Sequence, residues 1–125
     1  MTEPHWLSKE IIISVHDALL ARFGGLRGIR DEGMLDSAIN KPVQLFSYGE
    51  PDLFDLASAY AAGIIRNHPF VDGNKRSGFM AAYVFLGING HRLVAPEEQA
   101  VLQTLALAAG EIGVEAYAAW LKGAV

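Results

Sequence analysis

The chain has 125 residues, of which 51% are apolar and 19% charged, with a formal net charge of −4 and no cysteine. Its length and apolar content predict one domain over residues 1–125, with a filled core and no disordered tail. The acidic balance excludes a general nucleic-acid binder, and the missing thiols exclude disulfides, thiol nucleophiles and thiolate metal sites, which fits a cytoplasmic protein.

The stretch from Met1 to Ser8 carries charged and bulky residues where a signal peptide needs a basic start and an apolar run, so no leader is predicted. Ser8 is placed to cap a first helix whose apolar positions Ile12, Val15, Leu19 and Phe23 recur at helical spacing, with Leu7 set to pack back on Ile12. Gly24 and Gly25 end it. A short second helix is predicted from Asp31, carrying Met34, Leu35, Ala38 and Ile39 inward until Pro42 stops it. The segment from Pro42 to Pro51 lacks clean periodicity and reads as a loop or small hairpin. From Asp52 another apolar stripe (Leu53, Leu56, Ala57, Tyr60, Ala61, Ile64) runs to Asn67, and Pro69 then disfavours helical geometry at His68.

Beyond that loop, Phe79 to Ile88 has almost no polar face, the pattern of a helix surrounded by others. The stretch is far shorter than the ~20 residues that cross a bilayer, so no membrane partner is predicted. Asn89 and Gly90 close it. Pro96, Glu97 and Glu98 suit the first turn of a further helix ended by Gly110, and Tyr117, Trp120 and Leu121 mark a last one. The expected fold is all-α, a compact bundle of about six helices around the buried helix Phe79 to Ile88.

The chemistry concentrates between two apolar helices. His68-Pro69-Phe70-Val71-Asp72-Gly73-Asn74-Lys75-Arg76 holds an imidazole, a carboxylate, an amide and two cations in nine residues. If Asn74 caps the following helix, Lys75 and Arg76 fall in its first turn, where the dipole disfavours cations by ~0.3–1 kcal/mol each. A bound anion removes the conflict, because free backbone N–H groups, the dipole and both cations then face one phosphate cluster. Asp72 offers the hard oxygen that Mg²⁺ takes when shared with nucleotide phosphates, and His68 an imidazole that can act as a base on an attacking hydroxyl. Gly73 and Gly78 do not form a Walker loop, since the G-x-x-x-x-G-K-S/T order is missing.

These residues carry a resemblance. The stretch resembles the Fic motif, H-P-F-x-D/E-G-N-G-R, with Lys75 in place of the second glycine. That replacement, followed by Ser77, is similar to the Doc (death-on-curing) branch, H-x-F-x-D-G/A-N-K-R-T/S. The segments Phe23 to Asp31 and Leu35 to Ala38 also resemble the N-terminal part of Doc proteins. The resemblance implies a Fic/Doc fold and a catalytic set of His68 as base, Asp72 on Mg²⁺, Lys75 and Arg76. It implies a nucleotide-binding set of Gly73, Asn74, Lys75, Arg76 and Ser77, with ATP as co-substrate. Typical Fic proteins transfer AMP, whereas the Doc lysine goes with an inverted nucleotide and transfer of the γ-phosphate. The branch implies the toxin of a type II toxin-antitoxin system that acts on a Ser or Thr hydroxyl of elongation factor Tu, with a Phd-like antitoxin over the active site. An AMP transferase, or a partner-binding domain that keeps the loop as a remnant, is the alternative. The inhibitory pattern S/T-x-x-x-E-G/N is absent from the chain, so control is expected from a second protein.

Other residues receive bland readings. His5, His16 and His91 are scattered without metal-ligand spacing and are given no function. Phe70 reads as a wedge that anchors the loop, and Trp6 and Trp120 as packing or partner-facing residues. Arg27, Arg30 and Asp31 read as an ion pair or a cap. The resemblance further implies that the segment Pro42 to Pro51 is the family's flap that docks the target chain, with Ser47 and Tyr48 lining substrate.

Overall fold

The computed structural model describes residues 2–125; Met1, where the stretch read for a leader begins, lies outside them. Among the described residues the fold is six helices and no strand: α1 (Lys9–Phe23), α2 (Glu32–Tyr48), α3 (Leu53–Asn67), α4 (Asn74–Ile88), α5 (Glu97–Ala109) and α6 (Val114–Gly123). The all-α expectation holds. No helix among them is long and apolar enough to cross a membrane.

Local chemistry starts the helices where the sequence indicates. Ser8 Oγ accepts the Ile11 N–H at 3.2 Å to cap α1, and Asp31 Oδ1 accepts the Met34 N–H at 3.0 Å to cap α2. Asp52 and Asp55 form a reciprocal capping box on α3, at 2.8 and 3.0 Å. Two ion pairs from Lys9, to Glu32 and Asp36, tie the start of α1 to α2.

Three packing details differ from the sequence reading. The buried face of α1 is Ile12, His16 and Leu20, rotated from the expected stripe, so the polar His16 points inward while Phe23 stays 51% exposed. Helix α2 does not stop at Pro42 but runs through it to Tyr48, and the expected loop from Pro42 covers only Gly49 to Pro51. Pro42 removes one backbone bond, yet it is buried, and beyond it Leu45 and Phe46 pack on the core, Phe46 edge-on to Trp6 at 5.6 Å. That burial outweighs the local preference.

The third difference is the identity of the innermost helix. It is α3, which touches α2, α4, α5 and α6 and buries ten residues from Phe54 to Ile65. The apolar surplus on α4 has another cause: Phe79 and Met80 are half-buried and form a wall of an open groove. At the α3–α4 contact, a Cβ on Gly78 would stand 2.7 Å from Ile65 Cγ1 and 3.0 Å from the Ala61 carbonyl oxygen. Gly78→Ala is therefore expected to destabilise the fold by about 1–3 kcal/mol, read as a lower urea midpoint; an unchanged midpoint would contradict this packing. The core also holds Tyr60, whose phenol burial pushes up to about 12 and whose oxygen accepts the Leu7 N–H at 3.1 Å.

Candidate active site

The loop between α3 and α4 is held open by neighbours on three sides. At the end of α3 His68 adopts a left-handed conformation (φ 51°, ψ 53°), the only non-glycine residue with positive φ among those described. Such a turn needs support. Arg30 supplies it, donating from Nε to the His68 carbonyl at 2.6 Å and from Nη2 to the Asn67 carbonyl at 2.9 Å. The Asn67 side chain in turn donates to the Met34 carbonyl at 2.9 Å. Arg30 is thus the cap of a helix end rather than half of an ion pair, and Asp31 is the cap of α2.

The segment between α1 and α2 lies along the loop as a strap. The Arg30 and Asp31 N–H groups both donate to the Pro69 carbonyl, and the Val71 N–H donates to the Gly28 carbonyl at 3.0 Å. Leu26 N–H donates to Asp72 Oδ2 at 3.1 Å, and Gly73 N–H to Asp72 Oδ1 at 2.9 Å. Each carboxylate oxygen thereby takes one backbone donor and keeps a lone pair for another partner. Gly25 (φ 123°) is the one residue type that fits beside this carboxylate, because a Cβ there would stand 2.8 Å from Asp72 Oδ2.

Beneath the loop, Phe70 is fully buried and its ring stacks on His16, 3.8 Å between centroids and 6° between planes. His16 Nε2 stands 2.8 Å from the Asp72 carbonyl oxygen. The expected wedge role of Phe70 holds; the bland reading of His16 misses its place under the loop.

Helix α4 begins one residue earlier than a cap at Asn74 implies. Gly73 (φ 80°) is its N-cap and offers no side chain, so the N–H groups of the first turn have no side-chain acceptor. Asn74 is only 4% exposed, and its amide is spent on Phe70, accepting from the Phe70 N–H and donating to the Phe70 carbonyl, both at 3.0 Å. Its side chain ties the loop at Phe70 to the start of α4. Ser77 is buried with its Oγ unpartnered and is not among the residues that line the groove.

Lys75 and Arg76 sit exposed in that same first turn, which holds no acid, and neither forms an ion pair among the described residues. The Arg76 guanidinium lies 4.4 Å above the Phe23 ring, which explains the exposed aromatic at the end of α1.

His68, Asp72, Gly73, Asn74, Lys75 and Arg76 together line one groove of about 710 Å³, walled by α4 and by Ala100, Val101, Thr104 and Leu105 of α5. A smaller cavity of about 230 Å³ shares Phe23, Asp72 and Arg76 with the groove and is lined also by His16 and Gly25. Ser47 and Tyr48 line neither: Ser47 Oγ donates to the Gln44 carbonyl of its own helix at 2.7 Å, and Tyr48 is 78% exposed. No three His, Asp or Glu side chains among the described residues converge on a metal-sized site. Asp72 is a lone carboxylate donor, which suits a Mg²⁺ ion that draws its remaining oxygens from phosphates and water and does not suit a metal held by protein alone.

The similarities of the chain to known proteins fall on the same residues. Residues 6–86, which include the whole loop, match the Fic/DOC family. Over 117 residues, 93% of this chain and 92% of the relative, the sequence is 37% identical to a protein named Protein kinase doc from Escherichia phage P1. It is 47% identical over 76 residues, 58% of each chain, to a protein named Toxin Doc from Mycolicibacterium smegmatis.

Proposed function

The chain belongs to the Fic/DOC family and to its Doc branch, and from that premise we propose that it is a toxin that transfers the γ-phosphate of ATP to a Ser or Thr hydroxyl of a protein. One observation carries the reading: the first turn of α4, which holds no acid of its own, brings backbone N–H groups without a side-chain cap together with Lys75 and Arg76 in a groove lined also by His68, Asp72 and Glu97. Phosphoryl transfer asks little of a protein beyond such positioning and charge neutralisation.

In this reading the helix terminus and the two cations hold the phosphate chain. Asp72 would hold Mg²⁺, which when bound neutralises phosphate charge. His68 takes the proton of the acceptor hydroxyl as its oxygen bonds to the γ-phosphorus; the bond from that phosphorus to the bridging oxygen breaks, and ADP leaves. Of the sequence-assigned binding set, Asn74 contributes its backbone N–H and Ser77 nothing direct. Lys75 and the name of the phage relative, a protein kinase, favour phosphate over AMP as the transferred group. The target is proposed to be a translation factor, with elongation factor Tu as first candidate, and the partner a Phd-like antitoxin that covers the groove.

The test is transfer of label from ATP to purified elongation factor Tu and to cell lysate in the presence of Mg²⁺. Label at the γ position is expected on protein and label at the α position is not. Transfer from the α position alone overturns the kinase reading in favour of an AMP transferase, and transfer from neither favours a partner-binding domain.

A further inference from the structure

We propose that His16, on α1 and outside the loop motif, is a positioning residue that fixes the Asp72 carboxylate for its metal. The inference deepens the reading of Asp72 given above and rests on it.

His16 is 2% exposed, and its imidazole meets the loop in two ways. Its face stacks on Phe70 at 3.8 Å, and its Nε2 reaches the Asp72 carbonyl at 2.8 Å. A carbonyl oxygen only accepts, so Nε2 carries the proton and Nδ1 is turned toward Asp17, whose Oδ1 is 3.8 Å away. The bond anchors the peptide between Asp72 and Gly73. That peptide sets where the carboxylate stands, because its own N–H donates to Asp72 Oδ1, while Leu26 N–H holds Oδ2. Without the His16 donor the carbonyl faces the interior unpaired, and the Asp72–Gly73 peptide loses the contact that fixes its rotation.

A packing role predicts a different outcome from a positioning role. If only the stack on Phe70 matters, any side chain of similar bulk suffices. If the hydrogen bond to the carbonyl matters, a side chain needs a planar donor at the place of Nε2. Glutamine has one; leucine fills space without it.

The parent protein, His16→Leu and His16→Gln are compared in two measurements. Amide hydrogen exchange in the nucleotide-free protein reads Leu26 and Gly73, the two residues whose N–H groups rest on the Asp72 carboxylate. Calorimetry with a non-hydrolysable ATP analogue, with and without Mg²⁺, reads the metal requirement. Groups that orient a metal ligand change affinity by about 10–100-fold when removed, and a loss in that range of Mg²⁺-dependent affinity is expected for His16→Leu, with faster exchange at both amides. His16→Gln is expected to recover most of both. Parental values for His16→Leu overturn the proposal, as does a glutamine variant no better than the leucine one. If the leucine variant does not fold, His16→Asn, too short to reach the carbonyl, replaces it in the comparison. A parent protein that binds the analogue without any Mg²⁺ dependence overturns the metal role of Asp72, while the exchange rates still decide whether His16 holds the carboxylate.

Discussion

Replacing His68 by asparagine is expected to lower the transfer rate by about 10²–10⁴-fold, the range that a positioned general base contributes. The fold is expected to survive. His68 is exposed and meets the rest of the protein chiefly through its backbone, whose carbonyl is held by Arg30 and whose N–H donates to Ile64. The choice of asparagine matters because the residue sits at φ 51°, a region asparagine tolerates better than alanine. A loss of activity in His68→Ala alone is open to a local backbone change, whereas the same loss in His68→Asn with an unchanged unfolding midpoint isolates the missing base. Growth arrest on expression should disappear together with transfer. Arrest that persists in His68→Asn sinks the enzyme reading and leaves a domain that acts by binding.

Much of this site is legible in the chain because its chemistry conflicts with local structural preference. Lys75 and Arg76 in a helix first turn run against the dipole, and nothing nearby in sequence relieves the conflict. In the structure the turn has no acid and no side-chain cap, and neither cation forms an ion pair among the described residues, although the Arg76 guanidinium rests on the Phe23 ring. Helix starts at Ser8, Asp31 and Asp52 are equally legible, because a cap is a bond between residues three apart. What sequence cannot supply is the partner of a side chain that reaches across the fold. Arg30 and His68 lie 38 residues apart, and His16 and Asp72 lie 56 apart. One signal pointed to His16: it stands four residues from both Ile12 and Leu20, so a stripe drawn through those three would have put an imidazole in the core. A stripe through Val15 and Leu19 fits helical spacing as well but lies part of a turn away, with His16 outside it. Pro42 misled for the opposite reason, since its penalty is local and the burial of the residues around and beyond it is not.

Asn74 has a structural role beside the one that the motif implies. Its amide is saturated by the two backbone groups of Phe70, so the residue type at this position is explained by the loop it closes. In the proposed reading Arg76 is an exposed side chain that meets the phosphates, and this leads to the second large effect. Arg76→Ala is expected to reduce kcat/KM by about 10²–10³-fold, as loss of a preorganised charge donor does, with the unfolding midpoint nearly unchanged because the side chain is exposed. Lysine should restore less than about tenfold of it, because it lacks both the planar fork for phosphate and the flat face that lies on Phe23 at 4.4 Å. Phe23→Leu, which keeps an apolar surface but removes the ring, should cost about 2–5-fold, the equivalent of one exposed cation–π contact. The three rates together separate charge from geometry. Full activity in Arg76→Lys would mean that a positive charge anywhere in the turn suffices, and the stack on Phe23 would then have no part in placing the guanidinium.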